Sequence, residues 1–247
     1  MRHLLIVNPN TSAHVTALLQ RHAQTTAGPQ VNVRSVTARF GAPYIACEAS
    51  YAVAGHALLD TWAAATAEGQ TPVDAVLIGC FGDPGLLALR ETSRAPVTGL
   101  AEAAFVEAAP YGPFGVVTGG ARWKPMLTRL AQNLGFASSL AGIHTVAPSG
   151  AQLAADPAGA LALLAQAVRD ITQATGARAI IIGGAGLAGM AAQLQPLVDV
   201  PLIDSVAAGV RHALRAPASA PAGASGQFDV AWQNLSPELT ARGLASS

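Results

Sequence analysis

The sequence predicts an α/β protein of two pseudo-symmetric halves, each a mostly parallel sheet flanked by helices, with a cleft between them. Three observations carry this. Short apolar runs alternate with longer helix-patterned segments along most of the chain, the order that parallel α/β proteins show. The pattern then restarts at residue 114: residues 74–84 correspond to 178–188, Pro96 to Pro201, and Asn8 to Thr118. Finally, the apolar runs end in Asn8-Pro9-Asn10, Gly79-Cys80, Thr118-Gly119-Gly120 and Gly183-Gly184, turns that each lead into a helix.

Taken in order, residues 4–7 read as a buried strand, and the turn at 8–12 feeds a helix over 13–23. A strand with alternating apolar positions follows at 31–36, then a loop at 40–43 and an alanine-rich helix over 48–67. Residues 73–78 form the third strand. Asp83 suits a helix cap and Pro84 a first helical position, where its missing N–H costs nothing, so a short helix is expected through Arg90. Residues 96–98 form a short strand and 102–108 a helix. The second series has strands at 114–117, 143–146, 179–182 and 201–203. Its helices fall at 123–134, 157–175, up to 194, and 205–214. Residues 216–226, rich in Ala, Pro, Ser and Gly, read as a linker, and 229–247 as surface or partly mobile structure. The first domain is expected to comprise residues 1–98 with 208–247, and the second residues 99–207. Ligand crevices of parallel sheets lie beyond the carboxyl ends of the strands. The loops at 8–12, 80–83, 118–120 and 184–186 should therefore surround one pocket.

Composition narrows the function. Of 247 residues, 51% are apolar and 11% charged, with zero net charge. A basic face for nucleic acid or acidic membrane is absent, which leaves a small molecule as the expected partner. Low charge density also favours self-association, so a homo-oligomer is expected. The two cysteines, Cys47 and Cys80, give no disulfide framework and no metal-ligand spacing. The N-terminal apolar run is too short for a signal peptide, and no unbroken run of about 20 apolar residues suggests a membrane span. A cytoplasmic protein is the expectation. Lys124 is the only lysine, which weakens Schiff-base and P-loop chemistry together. A GxGxxG at Gly184–Gly189 has Asp204 downstream, but too little sequence follows it to complete a dinucleotide-binding sheet.

Cys80 is the leading candidate for chemistry, as an acid/base or a nucleophile. It lies between a strand end and the positive end of a helix, which favours thiolate over thiol. The plainer reading is a small buried hydrophobe, and the nearby Asp83 carboxylate opposes ionisation. Cys47 has no motif around it and reads as structural. Asn8, Asn10, Thr11 and Ser12 suit either a substrate's polar groups or turn and cap formation. Thr118 with the Gly119 and Gly120 amides could form an anion nest or a plain tight turn. His56 and His144 read as structural, and Glu48, Tyr51 and Glu102 as surface or structural polar groups.

These residues resemble the Asp/Glu/hydantoin racemase superfamily, closest to its hydantoin racemase branch. The match runs through Val7-Asn8-Pro9-Asn10-Thr11-Ser12, Gly79-Cys80-Phe81-Gly82-Asp83-Pro84-Gly85-Leu86, Ala95-Pro96-Val97-Thr98-Gly99, Val116-Val117-Thr118, Gly183-Gly184-Ala185-Gly186 and Asp204-Ser205-Val206-Ala207, and covers roughly residues 3 to 214. The resemblance implies racemisation without a cofactor. One cysteine thiolate removes the proton α to a carbonyl, and a second, on the opposite face, returns one. Cys80 matches the first cysteine; the second falls at Gly184, which has no side chain. Gly119 stands where many relatives carry a threonine. The binding set implied is Asn10, Thr11, Phe81, Gly82, Thr118, Gly119, Gly184, Ala185 and Gly186, with backbone amides steadying an enolate. The alternatives are a one-cysteine decarboxylase, lyase or tautomerase, or a non-catalytic small-acid-binding homologue. Single-cysteine decarboxylases of the superfamily keep the second-half cysteine, so this chain would be their mirror arrangement.

Overall fold

The computed structural model describes residues 1–148, 152–153, 156–216 and 226–244. The first half contains β1 (Arg2–Asn8), α1 (Ala13–Ala27), β2 (Val31–Thr37), α2 (Glu48–Ala65), β3 (Ala75–Ile78), α3 (Leu86–Thr92), β4 (Val97–Gly99) and α4 (Leu100–Ala108). The second contains β5 (Phe114–Gly119), α5 (Trp123–Asn133), β6 (Leu140–Val146), α6 (Pro157–Thr175), β7 (Ala179–Gly183), α7 (Met190–Leu194), β8 (Leu202–Asp204) and α8 (Ser205–Arg215). A short α9 (Pro237–Thr240) follows. Among the described residues the strands form two four-stranded sheets, ordered β2-β1-β3-β4 and β6-β5-β7-β8, with every pairing parallel. The identical order confirms the repeat read from the sequence.

The central strands are apolar along their length because both faces are covered. Period-two alternation sends their residues to different cores. Leu4, Ile6, Ala75 and Leu77 join Phe114, Val116, Ala179 and Ile181 in one cluster shared by both sheets. Leu5, Val7, Val76 and Ile78 face an outer cluster with α2 and α3. Val117, Ile180 and Ile182 face another with α6 and α7. The edge strand β2 contributes only Val33 as a buried apolar residue. Helix α4 packs on β7 of the other sheet, and α8 packs on β3 and α1 of the first. Phe105 of α4 stacks on Phe114 at 5.5 Å and meets Phe81 edge-on at 6.3 Å, so aromatic packing runs from one half into the other.

Of the segment read as surface or partly mobile structure, residues 229–244 form a surface strap anchored across α2. Leu239 is 1% exposed, and Phe228 and Leu235 pack on the same outer cluster. Arg242 donates to the Thr66 carbonyl and hydroxyl at the end of α2, and its guanidinium lies 4.9 Å from the Trp62 ring centre. Arg39 bridges the buried Asp60 of α2 to Glu238 of the strap. Alternation had no long apolar run to reveal here. The predicted linker at 216–226 lies, apart from its two end residues, outside the described residues. No helix among the described residues is long and apolar enough to cross a membrane. Leu239→Ala should destabilise the protein by about 2–5 kcal/mol, as removal of a fully buried leucine side chain does; urea unfolding measures it.

Candidate active site

In each sheet the strand order reverses beside the strand that comes first in the chain, between β1 and β3 and between β5 and β7. Loops leaving neighbouring strands diverge at such a point and open a crevice at the carboxyl ends. The two crevices meet in one pocket with about 50 Å³ of space open to the centre of a water molecule. The first half supplies Asn10, Val15, Tyr44, Ile45, Gly79, Cys80 and Phe81; the second supplies Trp123, Gly184, Ala185 and Gly186.

The loop after β1 is set by Asn8, which is fully buried. Its Nδ2 donates to Asn10 Oδ1 at 2.9 Å, Thr16 Oγ1 at 3.0 Å and the Ser12 carbonyl at 3.2 Å. Ser12 caps α1 by accepting from the Val15 amide. Asn10 Oδ1 also accepts from the Ser12 amide at 2.9 Å. The oxygen of Asn10 is thus engaged, while its Nδ2 has no hydrogen-bond acceptor among the described residues and is available in the pocket wall. Thr11 does not reach the pocket. Its amide donates to the Ala42 carbonyl and anchors the loop that carries Tyr44 and Ile45.

The Cys80 loop departs from the sequence reading in an informative way. Asp83 does not cap the helix that follows it. That helix starts at Leu86, with Gly85 at its cap. Asp83 instead turns its carboxylate into the first turn of α4, accepting from the Ala101 amide at 3.0 Å and the Glu102 amide at 2.8 Å. The missing side chain of Gly99 makes this fit: a Cβ there would stand 2.0 Å from Asp83 Cγ. Asp83 also holds φ +52°, a left-handed conformation that costs a non-glycine residue about 1–3 kcal/mol and persists only where the surroundings over-determine it. The carboxylate thus sits at the positive end of α4, while the helix end expected to favour a Cys80 thiolate is capped by Gly85. Burial first, and Asp83 second, push the Cys80 thiol upward, so the thiol is the resting form. The Gly82 amide points at Asp83 and its carbonyl accepts from Tyr51 Oη at 2.8 Å, so Gly82 serves the loop and lies off the pocket wall. Tyr51 is itself pushed up to about 12, by burial ahead of Asp83 and Cys80.

In the second half, Gly184 follows β7 with φ +144° and donates its amide to Ser205 Oγ at 3.2 Å. The Ala185 and Gly186 amides, in the turn Ala185–Leu187, have no acceptor among the described residues and line the pocket. Phe81 crosses from the first half. Its ring lies where a Cβ on Gly183 would sit, 2.3 Å from Cε1, so it joins the halves as well as lining the pocket. Thr118 and Gly119 belong to β5 and are absent from the wall. The expected anion nest is not formed, because the Gly120 amide continues the sheet to the Val146 carbonyl at 2.9 Å. Gly119 instead accepts at its carbonyl from Tyr44 Oη at 3.3 Å.

Val15, Tyr44, Ile45, Gly79 and Trp123 escaped the sequence reading. Tyr44 and Ile45 sit in a loop without periodicity, and only proximity in the fold brings them to Cys80. Trp123 had a weak signal, an aromatic at a helix start just after Thr118-Gly119-Gly120. Glu48 pairs with Arg129 at 2.7 Å and Glu102 with Arg90 at 2.5 Å, both off the pocket. Cys47 caps α2, and His56 meets the Phe40 ring at 4.9 Å. Among the described residues no group of three His, Cys, Asp or Glu side chains could hold a metal ion.

Residues 4–213 match the model of the Asp/Glu/hydantoin racemase family. The chain belongs to that family. It is 33% identical over 211 residues to a hydantoin racemase from Paenarthrobacter aurescens, covering 85% of this chain and 89% of that protein. Among solved structures it resembles allantoin racemase from Klebsiella pneumoniae, with a TM-score of 0.86, 30% identity, and 97% and 99% of the two chains covered. It also resembles allantoin racemase from Pseudomonas fluorescens, with a TM-score of 0.82, 27% identity, and 86% and 89% covered. The family match thus spans the β1, β3 and β7 loops that line the pocket of this racemase-family chain.

Burial pushes the Asp83 carboxyl up from its ordinary 3.8 to about 7, with the Ala101 and Glu102 amides opposing the rise. Protonated Asp83 is therefore the form the fold prefers. Its stabilisation is complete below the unfolded value and is lost as pH rises through the folded one. Urea midpoints should decline from the lower to the higher of these values. Asp83→Asn, which has no proton to lose, should decline less.

Proposed function

We propose that the chain is a racemase acting without a cofactor on a five-membered cyclic ureide of the hydantoin type, with Cys80 moving the proton α to a ring carbonyl. One observation carries this reading: Cys80, Asn10 and the Ala185–Gly186 turn, whose amides are unengaged among the described residues, line one small pocket shared by both halves. Cys80 rests as a thiol, so its proton first passes to solvent; the thiolate then takes the α-hydrogen and the C–H electron pair passes into the carbonyl as an enolate. On this reading the amides and Asn10 Nδ2 receive the developing oxygen charge. The thiol so formed can return the proton to the same carbon.

The substrate class follows from charge as well as from the relatives. No Lys, Arg, His, Asp or Glu is among the residues lining the pocket. A free amino acid or a malonate would bring ionised carboxylates to a wall with no cation, a costly desolvation. A neutral hydantoin ring brings only amide-like donors and acceptors. Allantoin is itself a substituted hydantoin, so both kinds of relative point to one ring. Val15, Ile45, Phe81 and Trp123 supply apolar surface for the ring and its substituent.

A second reading is favoured by one specific feature. Gly184 brings no acid/base side chain to the pocket, and inversion needs a proton donor on each face. One-sided chemistry would exchange or protonate only at the face of Cys80, as a decarboxylase, lyase or tautomerase does. The first reading requires solvent above Gly184 to complete the inversion.

Deuterium incorporation into each enantiomer of a 5-substituted hydantoin in heavy water, followed by chiral chromatography and mass spectrometry, tests both. Exchange should fall by about 10²–10⁴-fold in Cys80→Ala. Unchanged exchange would remove Cys80 from the chemistry. Washing-in with inversion supports the racemase, and washing-in with retention in one enantiomer supports the one-sided reading. A Cβ at Gly184 would meet nothing nearer than Leu187 at 3.6 Å, although φ +144° strains any side chain there. Gly184→Cys should therefore raise the ratio of inversion to retention, at some loss of melting temperature.

A further inference from the structure

Asp83 is joined to three elements at once. Its amide closes the turn on the Cys80 carbonyl at 3.1 Å, and its carbonyl accepts from the Leu86 amide of α3 at 3.2 Å. Its carboxylate, in a residue only 2% exposed, holds the Ala101 and Glu102 amides of α4. The second half makes the same junction in a different way. There the turn is closed by the Leu187 amide on the Gly184 carbonyl at 2.9 Å, and the residue is apolar. The carboxylate belongs instead to the helix cap, Asp204. It accepts from the Val206 and Ala207 amides and reaches back to the Gly189 amide of the loop at 2.6 Å. The first-half residue at the place of Asp204 is Gly99, which has no side chain and yields its space to Asp83.

Each half thus ties its loop to the next helix with one carboxylate. Either placement satisfies the helix. Only the placement on the loop sets a carboxyl group three residues from a thiol, and it occurs in the half that has the thiol. We infer that Asp83 is a positioning residue for Cys80, pegging the thiol's loop to α4 and setting its carboxyl group near the thiol. This rests on the reading of Cys80 as the proton carrier. The other titratable and charged groups around the pair are Tyr51 of α2, Glu102 of α4, and the Arg90 of α3 that pairs with Glu102.

The test uses the full chain in a Cys47→Ser background, so that Cys80 is the sole thiol. Alkylation by iodoacetamide, followed by intact mass across a pH series, reads the ionisation of Cys80 without need of a substrate. In Asp83→Asn the alkylation midpoint should fall by about 1 unit, as expected on removing a neighbouring like charge. The turnover number for α-proton exchange should fall by about tenfold or more, with KM changed less, since small displacements of a reacting group cost this much. Asp83→Ala/Gly99→Asp moves the carboxylate to the helix cap, as in the second half. It should recover the melting temperature lost in Asp83→Ala, but neither the wild-type alkylation midpoint nor the turnover number. An unchanged midpoint in Asp83→Asn would overturn the inference. So would a double variant with wild-type midpoint and turnover, which would make Asp83 a helix cap and nothing more. If Cys80→Ala kept its exchange activity, the reading of the site would fail, while the alkylation midpoints would still report on the Asp83–Cys80 pair.

Discussion

The structure depends on two parallel sheets sharing one interior. Each central strand sends alternate residues to that shared core and the rest to an outer cluster, so neither half is complete without the other. Helices α4 and α8 reinforce the exchange, each following a strand of one sheet and packing on the other. With the two sheets joined through these helices, their points of strand reversal bring the β1, β3 and β7 loops to one pocket. Phe81 illustrates the coupling. It leaves the Cys80 loop, fills the space above Gly183 of β7 and meets Phe105 of α4. A displacement of one sheet against the other would therefore move the thiol's own neighbour.

Within this symmetric frame the halves are chemically unequal. The first carries a thiol at the end of β3; the second carries glycine at the end of β7. The first keeps its loop by a carboxylate on the loop, the second by a carboxylate on the helix. The loop after β1 leaves the Asn10 Nδ2 unengaged toward the pocket, whereas the corresponding turn after β5 passes into further sheet hydrogen bonding at Gly120. Repetition of the fold supplies the cavity, and departures from repetition supply its polarity.

Much of this was legible in the sequence because it rests on local rules. Apolar runs gave the strands, and the recurrence of strand, glycine turn and helix gave the second half. Cys80, Phe81, Gly184, Ala185 and Gly186 reach the pocket because a loop's place follows once its strand is known, and Asn10 does so for the same reason. What was not legible is non-local. Asp83 had a correct local alternative, the cap of the next helix, and nothing nearby signals that a helix 18 residues away takes its carboxylate. Gly99 reads as an unremarkable strand end until Asp83 occupies its side-chain space. Tyr44, Ile45 and Trp123 reach Cys80 only through the fold, and the C-terminal strap lacks the periodicity that marks a buried element. Thr118 and Gly119 went the other way. The turn expected after residue 117 is two further residues of strand, and that extension carries them off the pocket wall.

The charge pattern of the pocket constrains the chemistry more tightly than its shape does. Its wall combines apolar side chains, one side-chain amide, a tyrosine and backbone N–H groups, while the nearest carboxylate is turned away into α4. Such a wall solvates a neutral ring and meets negative charge as it develops on a ring oxygen. It carries no cationic side chain to pair with a carboxylate that is ionised from the start. The same dryness holds Cys80 as a thiol. A buried thiol is a weak base in the empty pocket and a competent acid toward an enolate. An enzyme built this way gains from a substrate whose α-hydrogen is already acidified by a ring carbonyl, because the protein then has less basicity to supply. The hydantoin ring meets that requirement, and a free amino acid, with its α-carbon next to a carboxylate, does not.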